Sequence, residues 1–519
     1  MDAAARAEVA RPHVVMLPLP NAQGHMNPMM ELAKRLAGSG IMVTFITIEH
    51  AVARLLQAAG AGAEASGRKE EALIRLLGVP DGLPADAERH VVSEEYVRML
   101  ERVGHETEAR LRSLLADPHL PPVTCVLADV FLDSARSMLS RLRLPRCAFW
   151  PMSATILSIH LLLSTFRAQG FDPLQREVPP FSPMDCWENS AYVTEVPGLT
   201  KLHKHYLPYY YGIGDIGLQA TSHWIQNTIN HLKEECMYIV ANDVQGLEPE
   251  QCQALGPKFH PVGPLLAAVY LADSDSEEEE RQQAVAASFW KEDYTECMEW
   301  LDGQVEGSVV YVSFGSLTRL SKRQTLAVAQ GLLASKKRFL WVIRKDVDDA
   351  ALKLMEHPNY ISEGALPPNF LEATKQHQGK VVSWAPQMAV LRHGAVGAFF
   401  SHCGWNSVLE STVAGLPMLA WPQFSDQVTN CWMIVHEWQT GIELKRDLDN
   451  KPHPEELAQA LISLMDGPTA AAFRARASLL RDIATTGSLA DSGNSKQNLD
   501  TFTDLLYEMS ASARDHACF

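Results

Sequence analysis

The chain has 519 residues, 46% hydrophobic and 21% charged, with 31 Gly and 30 Pro; this excludes disorder and fibres and predicts two folded domains. Its 45 Lys and Arg stand against 62 Asp and Glu, a net charge of −17, so the composition supplies no basic stripe for a phosphate backbone and excludes nucleic acid as a partner. Nine scattered Cys, odd in number and without a C-x-x-C pair, speak against a disulfide framework and a zinc site.

The opening "MDAAARAEVARP" has no apolar stretch of signal-peptide type, and the run around "ATILSIHLLL" (154–163) is too short to cross a bilayer. A cytoplasmic protein without membrane insertion is expected, and nothing demands more than a monomer. The first strand signal is "HVVMLPLP" (13–20), followed by a Gly-containing turn and the helical pattern "NPMMELAKRLAGSG". Asn27 fits the N-cap there, Pro28 the first helical position, and Gly38 and Gly40 the exit. The run "IMVTFITI" (41–48) is again strand-like, so the unit is βαβ and the sheet parallel. Within that turn stands His25, where an imidazole, ordinarily titrating near ~6.5, suits proton acceptance. The apolar strand "TCVLADVFLDSA" (124–135) ends in Asp129, a carboxylate able to orient His25 and stabilise its imidazolium; Asp133 is the rival.

From about 170 to 220 the chain is rich in Pro and aromatics without clean periodicity, as lids, pocket walls and ordinary covering loops are. Trp187, Tyr206, Tyr209 and Tyr210 there could line a pocket for a flat apolar ligand. Next come a Pro- and Gly-punctuated link, "FHPVGPLL" (259–266), and an acidic run, "DSDSEEEERQQ" (273–283), read as a solvated loop. The domain boundary is placed near residue 266.

The βαβ grammar restarts with "SVVYVSFGS" (308–316), a helix near 322–335 and a strand at "RFLWVI" (338–343). Two further strands, "GKVVSW" and "VGAFFS", end at Trp384 and at Ser401 and His402, and ligands sit beyond the carboxyl ends of parallel strands. "HCGWNSVLESTVAGLP" then supplies a Gly for close approach, Asn406 or Ser407 as N-cap, a short helix, and Gly415 as its stop. A helix start in that crevice is an anion site in outline. His402, Asn406 and Ser407 add donors suited to a diphosphate, and Trp384 offers a face for a base, typically ~1–3 kcal/mol. Glu410 can accept from two ribose hydroxyls, and Asp426 and Gln427 from "WPQFSDQ" can recognise a sugar.

The 44 residues from 384 to 427, "WAPQMAVLRHGAVGAFFSHCGWNSVLESTVAGLPMLAWPQFSDQ", resemble the complete signature box of plant secondary-product UDP-dependent glycosyltransferases. The likeness extends to the opening "GH", "PDGLP" at 80–84 and "VSFGS" at 312–316. It implies an α/β chain of GT-B architecture, two facing Rossmann-like doubly wound parallel-sheet domains. Residues 1–266 would bind the acceptor and residues 267–519 the UDP-sugar, with the last helix expected to pack back on the first domain. The resemblance assigns Trp384, the Ala385 backbone and Gln387 to the uridine and Glu410 to its ribose. It gives Ser316, His402, Asn406 and Ser407 the diphosphate, and Trp405, Asp426 and Gln427 the sugar, with Gln427 favouring glucose. It also selects His25 as general base and Asp129 as its support.

The expected reaction is therefore a metal-independent, inverting hexosyl transfer from UDP-glucose to a hydroxyl of a small lipophilic plant metabolite. UDP-glucose is a co-substrate, and no cofactor is called for. Departures from the family pattern lie on the acceptor side. "PLPNAQGH" carries an extra residue, Asn21 or Ala22; Pro151 replaces a hydroxyl residue, with Ser153 as the possible substitute; and Asp133 stands where a large aromatic is common. The rivals are a UDP-sugar-binding protein without turnover, a transferase using UDP-galactose or another UDP-sugar, and a metal-dependent transferase using "DSD" at 273, "DVD" at 346 or "DLD" at 447. An NAD-dependent oxidoreductase lacks its G-x-G-x-x-G after the first strand.

Overall fold

A computed structural model describes residues 11–60, 73–84, 94–132, 134–175, 192–193, 195–199, 201–208, 218–234, 236–271, 294–343, 366–367, 369–376, 378–447, 450–489 and 493–517. In chain order the first strands are β1 (His13–Leu17), β2 (Met42–Ile48), β3 (Ile74–Val79), β4 (Cys125–Asp129) and β5 (Arg146–Trp150). A short antiparallel pair, β6 (Tyr192–Val193) and β7 (Leu202–His203), precedes β8 (Ile239–Ala241) and β9 (Phe259–Pro261). The second series is β10 (Val309–Ser313), β11 (Arg338–Val342), β12 (Gly379–Val382), β13 (Val396–Ser401), β14 (Met418–Ala420) and β15 (Gly441–Glu443).

Two sheets result, one ordered β3-β2-β1-β4-β5-β8-β9 and the other β12-β11-β10-β13-β14-β15. Every pairing in both is parallel. Helices cover both faces of such sheets, so the central strands read as unbroken apolar runs; β1, β4, β5, β10 and β13 are buried at every position. In each sheet the strand order reverses once, between β1 and β4 and between β10 and β13, and the crevice for a ligand opens at that point.

The first helix, α1 (Gln23–Gly38), starts earlier than the expected Asn27 cap. Asn21 adopts φ 58, a left-handed conformation that Asn tolerates, and turns the chain so that the amides of His25 and Met26 both bond the Ala22 carbonyl at 2.9 Å. Ala22 is thus the N-cap, Pro28 lies inside the helix, and His25 stands in the first turn. Proline has no N–H to give the carbonyl four residues back, so the Gly24 carbonyl accepts instead from Asn406 Nδ2 at 2.8 Å. The exit agrees with expectation: α1 ends at Gly38, and Gly40 has φ +83.

In the second domain α2 (Lys322–Ser335) begins with a reciprocal Ser321–Gln324 capping box. The helices that build the site are α3 (Gln387–Leu391), α4 (Trp405–Ala414) and α5 (Gln427–Trp432). The cap of α4 is Gly404, with φ −61 and ψ 142, and not Asn406 or Ser407, which occupy its first turn; Gly415 closes it in the left-handed conformation.

The last helix, α6 (Asn494–Ala517), lies on the first sheet, where Leu499, Phe502, Leu506 and Tyr507 join Val14, Val43 and Cys125 in one core. Phe502 is wholly buried, and truncating it to Ala should cost about 3–5 kcal/mol. The link after β9 is clamped by Arg35 of α1, whose guanidinium donates to the carbonyls of Val262, Pro264 and Leu266 at 3.1, 2.7 and 3.2 Å. Among the described residues no helix is long and apolar enough to cross a membrane.

Candidate active site

At the first reversal point, α1 carries His25 off the end of β1 and Asp129 is the last residue of β4. His25 Nδ1 lies 2.8 Å from Asp129 Oδ2, while Oδ1 accepts from the Phe131 amide at 3.0 Å. The carboxylate has no solvent exposure, and these two bonds compensate for its burial. With Nδ1–H given to Asp129, the ring's Nε2 carries the lone pair. Phe131 meets the imidazole edge-on at 5.7 Å and packs against Trp150 and Trp224, so the imidazole sits on an apolar ledge. Ser153 does not replace the missing hydroxyl: it is buried, and its Oγ accepts from the Ile156 amide as the N-cap of the helix Ala154–Leu161.

The second reversal point holds Gly315 and Ser316 after β10 and His402 after β13. The His402 ring is wedged between two glycines: a Cβ on Gly315 or on Gly404 would lie 2.5 Å from its Nε2. Burial pushes this imidazole down to about 4, so it is neutral at pH 7. Its Nδ1 is buried with no hydrogen-bond partner among the described residues. Cys403 takes φ 65, a strained value for a residue with a side chain, and is held there by Ser401 Oγ and Asn430 Nδ2. The corner delivers the chain into α4, whose first amides lack intrahelical partners and receive no side-chain cap from Gly404.

Gln387, at the start of α3, organises the next part. Its Oε1 accepts from the Tyr311 hydroxyl at 3.2 Å, and its Nε2 donates to Ser407 Oγ at 3.0 Å and to Glu410 Oε2 at 2.5 Å. Burial pushes the Glu410 carboxyl up to about 7, against the opposing bond from Gln387. Trp384 is half-buried and Ala385 buried, both in the short connection between β12 and α3.

Asp426 and Gln427 stand together at the start of α5, both buried. Asp426 is raised by burial, and the Asn430 amide at 2.8 Å and the charge of His25 act the other way. Gln427 Oε1 is taken by the amides of Gln423 and Phe424 at 2.9 and 3.2 Å, which fixes its oxygen and leaves its NH₂ to donate.

Two expected donor-site side chains are engaged elsewhere. The Trp405 indole is buried and donates to the Asn242 carbonyl at 2.7 Å. The Asn406 amide donates to Gly24 and accepts from Asn242 Nδ2 at 3.0 Å. Asn242, just past β8, was missed from sequence; a polar residue following an apolar strand at the crevice side of a parallel sheet was the available signal. Tyr206 braces the second domain: its hydroxyl donates to Glu443 Oε2 at 2.6 Å and its carbonyl accepts from Thr429 at 2.6 Å. Trp187, Tyr209, Tyr210 and the rival Asp133 lie outside the described residues, as do the acidic run and the D-x-D strings at 273 and 346 and all but Asp447 of the third.

Residues 285–473 match the family model described as UDP-glucoronosyl and UDP-glucosyl transferase. The chain is 32% identical over 499 residues to UDP-glycosyltransferase 85A1 of Arabidopsis thaliana, covering 95% of both chains. It is 31% identical over 512 residues to the 7-deoxyloganetin glucosyltransferase of Gardenia jasminoides, covering 95% of this chain and 97% of that one. Among solved structures, Os79 from O. sativa in complex with UDP superposes with a TM-score of 0.74 at 25% identity, covering 95% of this chain and all of that one. Two parallel doubly wound domains of GT-B type and full-length kinship with plant enzymes together place this chain in the plant family of UDP-dependent glycosyltransferases.

Proposed function

We propose that the enzyme moves glucose from UDP-glucose to a hydroxyl of a small lipophilic plant metabolite, with inversion at the anomeric carbon. The observation that carries this is the 2.8 Å His25–Asp129 pair at one reversal point, with Gly24, the residue before His25, bonded at 2.8 Å to Asn406 in the first turn of α4 in the other domain. His25 Nε2 takes the proton of the acceptor hydroxyl as its oxygen attacks the anomeric carbon, and Asp129 stabilises the imidazolium that forms. UDP leaves from the opposite face, and the charge developing on its diphosphate falls at the amino end of α4.

In the same reading Trp384 stacks on uracil, Ala385 and Gln387 border the uridine, and Glu410 accepts from the ribose hydroxyls. His402, Ser407 and Ser316 hold the diphosphate together with backbone amides of α4, while the Asn406 side chain, which the resemblance also assigns there, bonds Gly24 and Asn242. Asp426, Gln427 and the Trp405 backbone border the hexose. His402 Nδ1, buried and without a hydrogen-bond partner among the described residues, is satisfied as an N–H donor by a phosphate oxygen. Residues 1–266 serve the acceptor and 267–519 the donor. The named Gardenia relative is a glucosyltransferase and Os79 was crystallised with UDP, which favours this donor class.

The test is mass-spectrometric screening of phenols, flavonoids, terpenoids and hormones with UDP-glucose, UDP-galactose and UDP-glucuronate, alongside calorimetry with UDP. Glucosides with UDP release are expected. Binding of UDP-glucose without turnover on any acceptor would favour a sensor. Activity abolished by EDTA and restored by manganese would favour the metal-dependent rival.

A further inference from the structure

The Asn406 amide joins the two domains at the point where the proposed base and the proposed diphosphate seat meet. Its Nδ2 donates to the Gly24 carbonyl at 2.8 Å, and its Oδ1 accepts from Asn242 Nδ2 at 3.0 Å. Asn242 is oriented in turn, because its Oδ1 accepts from the Leu265 amide at 2.8 Å. Each bond in this series fixes the polarity of the next. The Leu265 N–H can only donate, so Asn242 must present its oxygen to the link and its NH₂ to Asn406. Asn406 must then present its oxygen to Asn242 and its NH₂ to Gly24.

Three further observations show that the series is built into the fold. Pro28 has no N–H for the Gly24 carbonyl, which leaves that acceptor facing out of α1. The Asn242 carbonyl takes the Trp405 indole N–H at 2.7 Å, so two successive residues of α4 dock on this one residue. The link presses close: a Cβ on Gly263 would lie 2.9 Å from Asn242 Oδ1 and 2.7 Å from the Asp243 amide. Asn242 itself is 1% exposed.

We propose that Asn242 is a positioning residue for glycosyl transfer: through the Asn406 amide it sets the Gly24 carbonyl, and with it His25, against the amino end of α4. This rests on the reading of His25 as base and of α4 as the diphosphate seat. Transfer requires the acceptor oxygen and the anomeric carbon within a near-attack distance, and a shift well below 1 Å between base and donor slows it steeply.

Two variants test it by opposite routes. Asn242→Asp keeps the shape and the acceptor for Leu265 but removes the donor to Asn406. The Asn406 amide then turns its NH₂ toward the new carboxylate and its oxygen toward the Gly24 carbonyl, which repels it. We expect kcat for transfer to fall about tenfold or more while the Kd for UDP stays within about threefold. Pro28→Ala restores an N–H to the Gly24 carbonyl inside α1, drawing it from Asn406. The unfolding midpoint should hold or rise while kcat falls several-fold, a combination that a merely structural role does not produce. Pro28→Ala also keeps the proposal testable if Asn242→Asp fails to fold.

A folded variant of either kind with kcat within about twofold of wild type would overturn the proposal. So would a loss of transfer explained wholly by weaker UDP binding, since Asn242 would then serve the donor seat alone. His25→Ala, measured in parallel, separates the two claims: if it keeps transfer, the base reading has failed, whatever the Asn242 variant does.

Discussion

Both domains put an imidazole at the same topological place, the reversal point of a parallel sheet, and the two rings have opposite surroundings. His25 has a buried carboxylate 2.8 Å from Nδ1, so it is oriented and its protonated form has a counter-charge waiting. Among the described residues no carboxylate pairs with His402; two glycines press on its ring and burial pushes it down to about 4. The first arrangement suits taking a proton. The second suits remaining neutral while offering one hydrogen bond to an anion. The fold supplies the same side chain twice, and what packs against each sets which of the two is suited to proton transfer.

The comparison breaks most sharply at His25. His25→Ala should lower kcat about 10²–10⁴-fold with UDP affinity preserved, read by initial rates and calorimetry. His402→Ala should do the reverse, weakening UDP and sparing the pH dependence of transfer. Comparable kcat losses in both would dissolve the distinction. Asp129→Asn comes next. Without the negative charge the imidazolium loses its support and the Nδ1–H tautomer its acceptor, for about 10²-fold in kcat. Transfer left unchanged would turn attention to Asp133.

A glycine substitution sharpens the other side. Gly315 has φ +74, and its Cβ would meet the His402 ring at 2.5 Å, so Gly315→Ala carries backbone strain and a displaced imidazole together. We expect UDP affinity to fall about tenfold or more, with the cost confined to the donor side. An intact affinity would mean that His402 does not touch the nucleotide.

How much of this was legible in the sequence follows from range. The strands around both reversal points are continuous apolar runs ended by polar residues, and they lie where the residues place them: Val309–Ser313 within "SVVYVSFGS" and Val396–Ser401 at "VGAFFS". Gly415 closes α4 as its type predicts. Both helix starts were placed too late, for the same reason. Good capping residues, Asn27 and Asn406, fall inside the helices, as the fifth and second helical residues, while the actual caps, Ala22 and Gly404, are chosen by tertiary demands. At Ala22 the left-handed Asn21 turns the chain early, and at Gly404 the His402 ring tolerates no Cβ. Asn242 was invisible because its significance lies in partners 23, 164 and 163 residues away, the Leu265 amide, the Asn406 amide and the Trp405 indole. Locally Pro28 fits a helix start, whereas in the fold it lies inside α1 and frees the Gly24 carbonyl for the other domain.

The smallest effect expected is a pH dependence that belongs to neither imidazole. Burial holds the Glu410 carboxyl at about 7 instead of 4.5, so the group is largely neutral at pH 6 and ionised at pH 8. A carboxylate accepts from both ribose hydroxyls, whereas the acid offers one good acceptor and a competing proton. Affinity for UDP-glucose should therefore rise by up to about tenfold from pH 6 to pH 8. His402, titrating at about 4, stays neutral across that window, and UDP-glucose has no terminal phosphate proton to confuse the reading. Stability moves the opposite way. A carboxyl whose folded value is raised contributes stability that is fully present below 4.5 and is lost as pH climbs through about 7. The unliganded protein should thus lose thermal stability over the same interval in which the donor binds more tightly, and the melting shift produced by UDP-glucose should widen with pH. Glu410→Gln should flatten both trends; if the wild-type affinity is already flat between pH 6 and pH 8, Glu410 does not hold the ribose as a carboxylate.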